Sequence, residues 1–106
     1  MTSMLITAES QLKCKEMCKN ILKLDPKIRF AGLINDKGRY LTGATRKGVK
    51  FLISVRDKEM LFTEVALRTR MRREFDQQLG KVDFSLSHRK NVIILSFPYG
   101  EEILYV

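Results

Sequence analysis

The chain has 106 residues, and 20 Lys and Arg against 12 Asp and Glu give it a formal net charge of +8. Its 44% hydrophobic and 30% charged residues are typical of a globular protein, and the length fits one domain spanning 1–106. No stretch approaches the roughly 18 consecutive apolar residues of a membrane-spanning helix. Two cysteines are too few for a secreted disulfide framework. We therefore expect a cytoplasmic, single-domain protein.

The first predicted element is a helix from Ala8 to Leu24. Its apolar residues recur at spacings of three and four and therefore share one face. They are Cys14, Met17, Cys18, Ile21 and Leu22. Thr7 is the predicted N-cap. Pro26 ends the helix, because the residue before a proline avoids the helical region.

A β-hairpin is predicted next, with strands at 28–35 and 39–42. Asp36-Lys37-Gly38 forms its turn, because glycine accepts the positive φ that such a turn requires. The first strand is apolar on both faces, which predicts a place inside the sheet. A loop beginning at Gly43 then leads to the second helix.

The second helix is predicted from Asp57 to Leu79. Ser54, three residues before Asp57, resembles the start of a capping box, and Gly80 ends the helix. At about 100° per residue, most of its large apolar residues occupy an arc wider than a third of the circumference. This apolar arc consists of Met60, Leu61, Val65, Leu67, Met71, Phe75 and Leu79.

Charge and apolar surface are mixed on this helix. Glu64, Arg68 and Arg72 lie inside the arc, whereas Phe62 and Ala66 lie outside it. One interpretation is that the arginine stems cover the edge of the core, with a Glu64–Arg68 pair contributing about 0.2–0.5 kcal/mol. The interpretation that we favour is a helix that packs against a second copy, so that Glu64 meets the partner's Arg68 or the partner's Arg72. The expected dimer interface is Glu64, Arg68, Met71, Arg72 and Phe75.

Three strands are predicted after the second helix. The segment 82–87 alternates apolar and polar residues, as a half-buried edge strand does. The segment 91–97 is apolar on both faces, so we expect it to be central, and a turn at 98–100 leads to the last strand at 102–106. The order α-β-β-α-β-β-β predicts an α/β (α+β) fold, with a five-stranded mixed, mostly antiparallel sheet and one helix on each face.

This order, with the strand–turn–strand FAGLINDKGRYLTG at 30–43 before a long helix, resembles the roadblock/dynein-light-chain family, whose relatives include longin- and profilin-like folds. Short archaeal proteins of the same pattern are also similar. The resemblance covers nearly the whole chain. It implies a homodimer formed through the second helix and the edge strand, and a scaffold or regulator of small Ras-like GTPases or motor complexes. Two departures are the lack of a third helix after the last predicted strand and the basic charge.

Signatures of an enzyme are weak. His88 is the only histidine, and we expect it in an exposed turn with no nucleophile or orienting carboxylate singled out. Cys14 and Cys18 share a helix face, but a structural zinc needs two more soft ligands, and only His88 remains. The segment 43–50 differs from a phosphate-binding loop, because no lysine directly follows its second glycine. We expect no catalysis, no cofactor and no metal.

A basic surface is the remaining candidate for binding. No acidic residue lies between Asp36 and Asp57. The candidate surface for an acidic partner is Lys37, Arg39, Arg46, Lys47 and Lys50. We favour a non-enzymatic homodimeric interaction module with a protein partner and no membrane. A nucleic-acid-associated protein that uses the same loop and a ligand-sensing domain of the PAS/GAF type are the alternatives.

Overall fold

The structure is a computed structural model and describes residues 8–50 and 52–106. Its elements are α1 (Ala8–Leu22), β1 (Phe30–Ile34), β2 (Tyr40–Thr45), α2 (Val55–Arg73), α3 (Asp76–Leu79), β3 (Ser85–His88), β4 (Ile93–Tyr99) and β5 (Glu102–Tyr105). The predicted order of two long helices and five strands is confirmed, with the short α3 in addition. Thr7, the predicted N-cap of the first helix, lies outside the described residues.

The five strands form one sheet in the order β2-β1-β5-β4-β3. Every pairing among the described strands is antiparallel, so a fully antiparallel sheet replaces the mixed sheet that we expected. The inner position of β1 and the edge position of β3 are confirmed. Because β2 and β3 are the two opposite edges, the connection through α2 crosses the full width of the sheet.

The two long helices lie on opposite faces of the sheet, as predicted. On one face, the core cluster under α2 consists of Ile34, Phe62, Ala66, Ile103 and Tyr105. Successive side chains of a strand point to opposite faces, so Ala31 and Leu33 point away from that cluster. They are fully buried on the face where α1 lies against β1 and β2, and Cys18 of α1 is fully buried with them.

Two glycines of the β-hairpin make room for aromatic rings beneath α2. Gly32 and Gly43 are cross-strand partners. A Cβ on Gly32 would lie 2.6 Å from the Phe30 ring, and a Cβ on Gly43 would lie 2.9 Å from the Tyr40 hydroxyl oxygen. The Phe62 ring stacks beside both rings, with centroid distances of 6.2 Å to Phe30 and 6.3 Å to Tyr40. The hairpin therefore supplies the aromatic surface on which α2 packs.

The hairpin turn also contacts α2. Gly38 has a φ of 85°, as predicted for this turn, and the Asn35 side chain accepts hydrogen bonds of 2.9 Å from the backbone N–H groups of Lys37 and Arg39. A Cβ on Gly38 would lie 2.6 Å from the Cα of Thr63. Glycine is therefore needed both for the turn and for the close approach of the helix.

The second helix begins at Val55, two residues before the predicted start, and ends earlier than predicted. The Ser54 hydroxyl accepts a 3.2 Å hydrogen bond from the Asp57 backbone N–H, which confirms the N-cap. α2 ends at Arg73 rather than at Leu79, because the backbone N–H groups of the next two residues bond to carbonyls three residues back and tighten the chain. The short α3 follows, and Gly80 ends it as predicted, with a φ of 84°.

Candidate functional site

The sheet-facing side of α2 is narrow. Phe62 and Ala66 are 2% and 1% exposed. The Phe62 ring meets the Tyr105 ring edge-on at a centroid distance of 4.9 Å. We expected both residues to lie outside the main apolar surface of the helix, and the burial shows that they form its core contact. The reason is that the aromatic side chains of the hairpin and of β5 form a surface with room for the Phe62 ring and the small side chain of Ala66.

The predicted apolar arc of α2 is largely turned to solvent. Met60, Leu67, Met71 and Phe75 are 62%, 49%, 58% and 56% exposed. A helix that packs only on its own sheet carries polar residues on this side. Contiguous exposed apolar surface marks a site of interaction. We call the surface formed by Met60, Glu64, Leu67, Arg68, Met71 and Phe75 the α2 outer face.

The charged residues of the predicted dimer interface have partners within the chain. Arg68 and Glu64 form an exposed ion pair with an N–O distance of 3.5 Å, which contributes at most about 1 kcal/mol. Arg72 is half-buried, and its Nη1 donates a 2.8 Å hydrogen bond to the Ser85 hydroxyl of β3. Glu64, Arg68, Met71 and Phe75 thus share the α2 outer face, and Arg72 lies where this face borders the edge strand.

The predicted basic residues lie at the two ends of β2. Lys37 and Arg39 belong to the hairpin turn before the strand, and Arg46, Lys47 and Lys50 follow its other end. The six residues of β2 separate the two groups by roughly 20 Å. The structure therefore forms two basic surfaces in place of the single one that we expected.

Arg46 has a structural role that the sequence did not reveal. Its Nε donates to the Ile28 carbonyl at 2.7 Å, and its Nη2 donates to the carbonyls of Asp25, at 2.9 Å, and of Leu22. These acceptors lie at the end of α1 and in the connection to β1. Because the last carbonyls of a helix have no partner inside it, Arg46 caps α1 from the end of β2. Only the tertiary structure brings these segments together.

In the described part of the chain, the residues with metal-binding chemistry do not form a cluster. His88 is the exposed last residue of β3 rather than a turn residue. Burial raises the pKa of the Cys14 and Cys18 thiols, which favours their protonated form near neutral pH. Within the two described segments, no group of three or more His, Cys, Asp and Glu could hold a metal ion. Nor does any helix described there have the length and apolar character needed to cross a membrane.

The space under α2 is filled by side chains. The Phe30 and Tyr105 rings lie 6.1 Å apart, next to the Phe62–Tyr105 contact. A cleft of about 380 Å³ lies at the surface, where the end of α2 meets the β4–β5 turn, and its lining includes Arg72, Arg73 and Glu101.

The fold is roadblock-like, as comparison with solved structures shows. An MglB with a tetrameric arrangement superposes with a TM-score of 0.76 and 19% identity, over 95% of this chain and 73% of that one. The gliding protein MglB from Thermus thermophilus has the same TM-score at 18% identity and the same coverage. A Roadblock/LC7 domain from Streptomyces avermitilis has a TM-score of 0.65 and 8% identity, over 86% of this chain and 73% of that one. Identities this low show a shared fold and nothing more.

Within this fold class, the chain belongs to the family of unknown function DUF6659, which matches residues 4–106. No curated protein matches the chain. The family description carries no activity, so the function has to be argued from the surfaces described above.

Proposed function

We propose that the protein is a cytoplasmic, non-enzymatic homodimer that acts as a scaffold or regulator of a partner protein, a small Ras-like GTPase. The observation that carries the proposal is the α2 outer face, where four large apolar side chains are each about half exposed or more. Exposed apolar area of this kind is stabilised when a second protein surface removes it from water.

A twofold axis beside α2 explains the composition of this face. Two α2 helices packed about such an axis bury Met71 and Phe75 of both copies. In a twofold interface each contact occurs twice, so Glu64 of one copy reaches the partner's Arg68 while the reverse pair forms on the other side. β3 lies next to this surface through the Arg72–Ser85 hydrogen bond, and its outer edge extends the contact. The tetrameric arrangement of one similar MglB supports self-association as a property of the fold.

The first test is the molar mass in solution by light scattering, at physiological salt and again near 1 M salt. We expect a dimer in both, because contacts made by apolar area are not screened by ions, whereas exposed ion pairs are. A monomer at both salt concentrations contradicts the proposal. A dimer that dissociates only in high salt contradicts the apolar interface.

Two variants locate the interface. Met71→Asp places a charge at the centre of the α2 outer face, and we expect it to give a monomer. Arg68→Glu removes the charge complementarity, and we expect it to weaken the dimer about tenfold. Leu12→Asp is the control, since Leu12 is 67% exposed on α1, away from α2. If Leu12→Asp and Met71→Asp have the same effect, the interface lies elsewhere.

The partner is tested with a purified small Ras-like GTPase, loaded with GDP or with a non-hydrolysable GTP analogue. We expect one of the two forms to bind. Lys47 and Lys50 are exposed beside β2, as are Lys37 and Arg39 at its other end. We expect either Lys47→Glu with Lys50→Glu or Lys37→Glu with Arg39→Glu to abolish binding. If neither double variant loses GTPase binding, the basic residues are not the contact with the GTPase. DNA or RNA binding that survives moderate salt favours the nucleic-acid alternative.

A further inference from the structure

The sheet carries a pair of serines on the side that faces α2. Ser85 of β3 and Ser96 of β4 are cross-strand partners, so their side chains point to the same face. Ser96 also pairs with Tyr105 of β5, which belongs to the core cluster under α2. On the same side of β4, two residues before Ser96, Ile94 packs against that cluster. Two hydroxyls therefore interrupt an otherwise apolar layer.

The serine pair forms the floor of the cleft at the end of α2. Because α2 ends at Arg73, no further turn of this helix covers the two short side chains. The space that remains has a volume of about 380 Å³. We call it the α2-end cleft, with Ser85 and Ser96 as its floor. Small-molecule sites have volumes of roughly 300–1,000 Å³, so the cleft has room for a small ligand.

The Ser96 hydroxyl is a buried polar group without a partner in the described part of the chain. Ser96 is 7% exposed. One side-chain hydrogen bond reaches the floor of the cleft, from Arg72 to Ser85, and Ser96 takes part in none among the described residues. In those residues no side-chain oxygen or nitrogen is both closed to solvent and unpaired, so the Ser96 hydroxyl opens into the cleft. It is therefore placed to bond a ligand there, and a buried hydroxyl is stabilised by such a bond.

The charges around the cleft favour an anion. Three cationic residues line it, Arg72, Arg73 and Lys81, against the two acidic residues Asp76 and Glu101. Both ion pairs found in the described part of the chain lie elsewhere, so none of these five charges is neutralised by an ion pair. The cleft therefore has an excess of positive charge, in a chain whose formal net charge is +8.

The donors of the cleft suit a phosphate group better than a carboxylate. A guanidinium carries five N–H donors in a planar fork, and the structure shows one of those of Arg72 in use, on Ser85. A phosphate monoester has three acceptor oxygens and a charge of about −1.5 to −2 near pH 7, whereas a carboxylate has two oxygens and a single charge. Two guanidinium groups, one ammonium group and a free hydroxyl therefore find more acceptors and more charge on a phosphate.

We propose that the α2-end cleft binds a small phosphate monoester. Its phosphate group is held by Arg72, Arg73 and the Ser96 hydroxyl, and its organic part lies against Val82 and Pro98, which also line the cleft. All of these residues belong to one chain, so the site goes beyond the proposed dimer and does not rest on it.

The probe is phenyl phosphate, titrated into the ¹⁵N-labelled full chain at fixed ionic strength and followed by the chemical shifts of the backbone amides. We expect saturable shifts at Ser85, Ser96 and their neighbours. Benzoate, with a carboxylate on the same ring, should bind about tenfold more weakly, and so should inorganic phosphate, which lacks the ring. Shifts that do not saturate, or that saturate only elsewhere, overturn the site. Equal binding of benzoate overturns the preference for phosphate, and equal binding of inorganic phosphate overturns the contact with Val82 and Pro98.

Ser96→Ala separates ligand binding from the stability of the fold. Because the Ser96 hydroxyl bonds to no group in the described residues, we expect Tm without ligand to stay unchanged. The dissociation constant of phenyl phosphate should rise at least about fivefold, because the phosphate loses a buried donor. Unchanged affinity overturns the role of Ser96. A lower Tm without ligand contradicts a hydroxyl that has no partner in the chain.

Arg73→Gln and Arg70→Gln are a matched pair. Both arginines are exposed in the last turn of α2 and both changes remove one positive charge, but Arg73 lines the cleft and Arg70 does not. We expect Arg73→Gln to weaken binding of phenyl phosphate about tenfold and Arg70→Gln by less than about twofold. Equal effects show that the anion is attracted by the charge of the whole chain, and overturn the cleft as its site.

Met71→Asp, on the α2 outer face, shows whether one chain is sufficient. We expect this variant to bind phenyl phosphate with unchanged affinity, whatever its molar mass, because Met71 does not line the cleft. Loss of binding in a monomeric Met71→Asp overturns a site built from one chain. Unchanged binding together with an unchanged molar mass contradicts the proposed dimer interface and leaves the cleft supported.

Discussion

The two halves of the sheet are built from similarly apolar strands and are buried very differently. In β1, Ala31, Leu33 and Ile34 are fully buried, because α1 covers one face and α2 the other. In β3 and β4, Leu86 and Ile93 are more than half exposed. The apolar content of a strand therefore shows how much apolar contact it can make. Which of these contacts form within the chain depends on where the helices lie.

The same contrast divides the apolar side chains of α2. Phe62 and Ala66 are used to close the core, whereas Met60 and Met71 face solvent. The half of the molecule around β1 and β2 therefore holds the buried core, whereas the outer surfaces of α2, β3 and β4 carry exposed apolar side chains. Substitutions in the two regions should consequently differ in kind as well as in size.

The largest expected effect is on the core. Phe62→Ala should lower the free energy of unfolding by about 3–5 kcal/mol, because it removes a buried ring and leaves a cavity. Phe84→Ala removes the same atoms from a side chain that is 56% exposed, and should cost about 1 kcal/mol or less. Urea unfolding of both variants measures the difference. Similar losses would show that the Phe84 ring is buried in the folded chain.

The hairpin turn should be the next most sensitive position. Gly38→Ala should cost about 2–4 kcal/mol, because it combines a positive φ with displacement of the α2 backbone. Gly48→Ala is the matched control, with a φ of 82° and open space around its Cα, and should cost only about 1–2 kcal/mol. Thermal unfolding measures the loss of stability in both variants. Equal losses would show that the contact between the hairpin turn and α2 adds nothing to the effect of Gly38→Ala.

The cap on α1 should have an intermediate effect. Arg46→Ala should cost about 1.5–3 kcal/mol, because the carbonyls of Leu22, Asp25 and Ile28 lose a charged donor. Lys47→Ala changes the next residue, whose side chain is exposed, and should change the free energy of unfolding by at most about 0.5 kcal/mol. Circular dichroism during urea unfolding checks both. If the Arg46→Ala variant is as stable as the unchanged chain, the carbonyl contacts of Arg46 do not stabilise the fold, and Arg46 is again a candidate binding residue.

The smallest effect is a pH dependence at Glu102, the first residue of β5. Burial, with the charge of Glu101 in addition, raises the pKa of Glu102 in the folded state. The folded state then binds more protons than the unfolded chain, so this residue lowers stability as pH rises from about 4.3 through the raised pKa. Glu102→Gln should therefore raise Tm by about 1–2 °C at pH 7 and have no effect near pH 4. An equal shift at both pH values contradicts the assignment.

Local chemistry allowed several elements to be predicted. Gly38 defined the hairpin, Ser54 the start of α2 and Gly80 the stop after α3, because each acts through the backbone within a few residues. The roadblock-like order of elements followed from these signals and from strands that are apolar on both faces. The five residues expected at the dimer interface lie on or beside one surface, and whether a second copy covers it stays a prediction.

The sequence by itself determined the elements, their order and the amount of apolar surface, because hydrophobic periodicity and turn residues act over short distances. Only the tertiary structure decided which apolar residues are buried. Phe62 faces the sheet because the Gly32–Gly43 pair leaves room for the rings that receive it, and Arg46 caps a helix more than twenty residues before it. The exposure of Leu86 and Ile93 depends in the same way on where α1 lies. Burial is a property of the assembled layers, and no single segment of the sequence contains it.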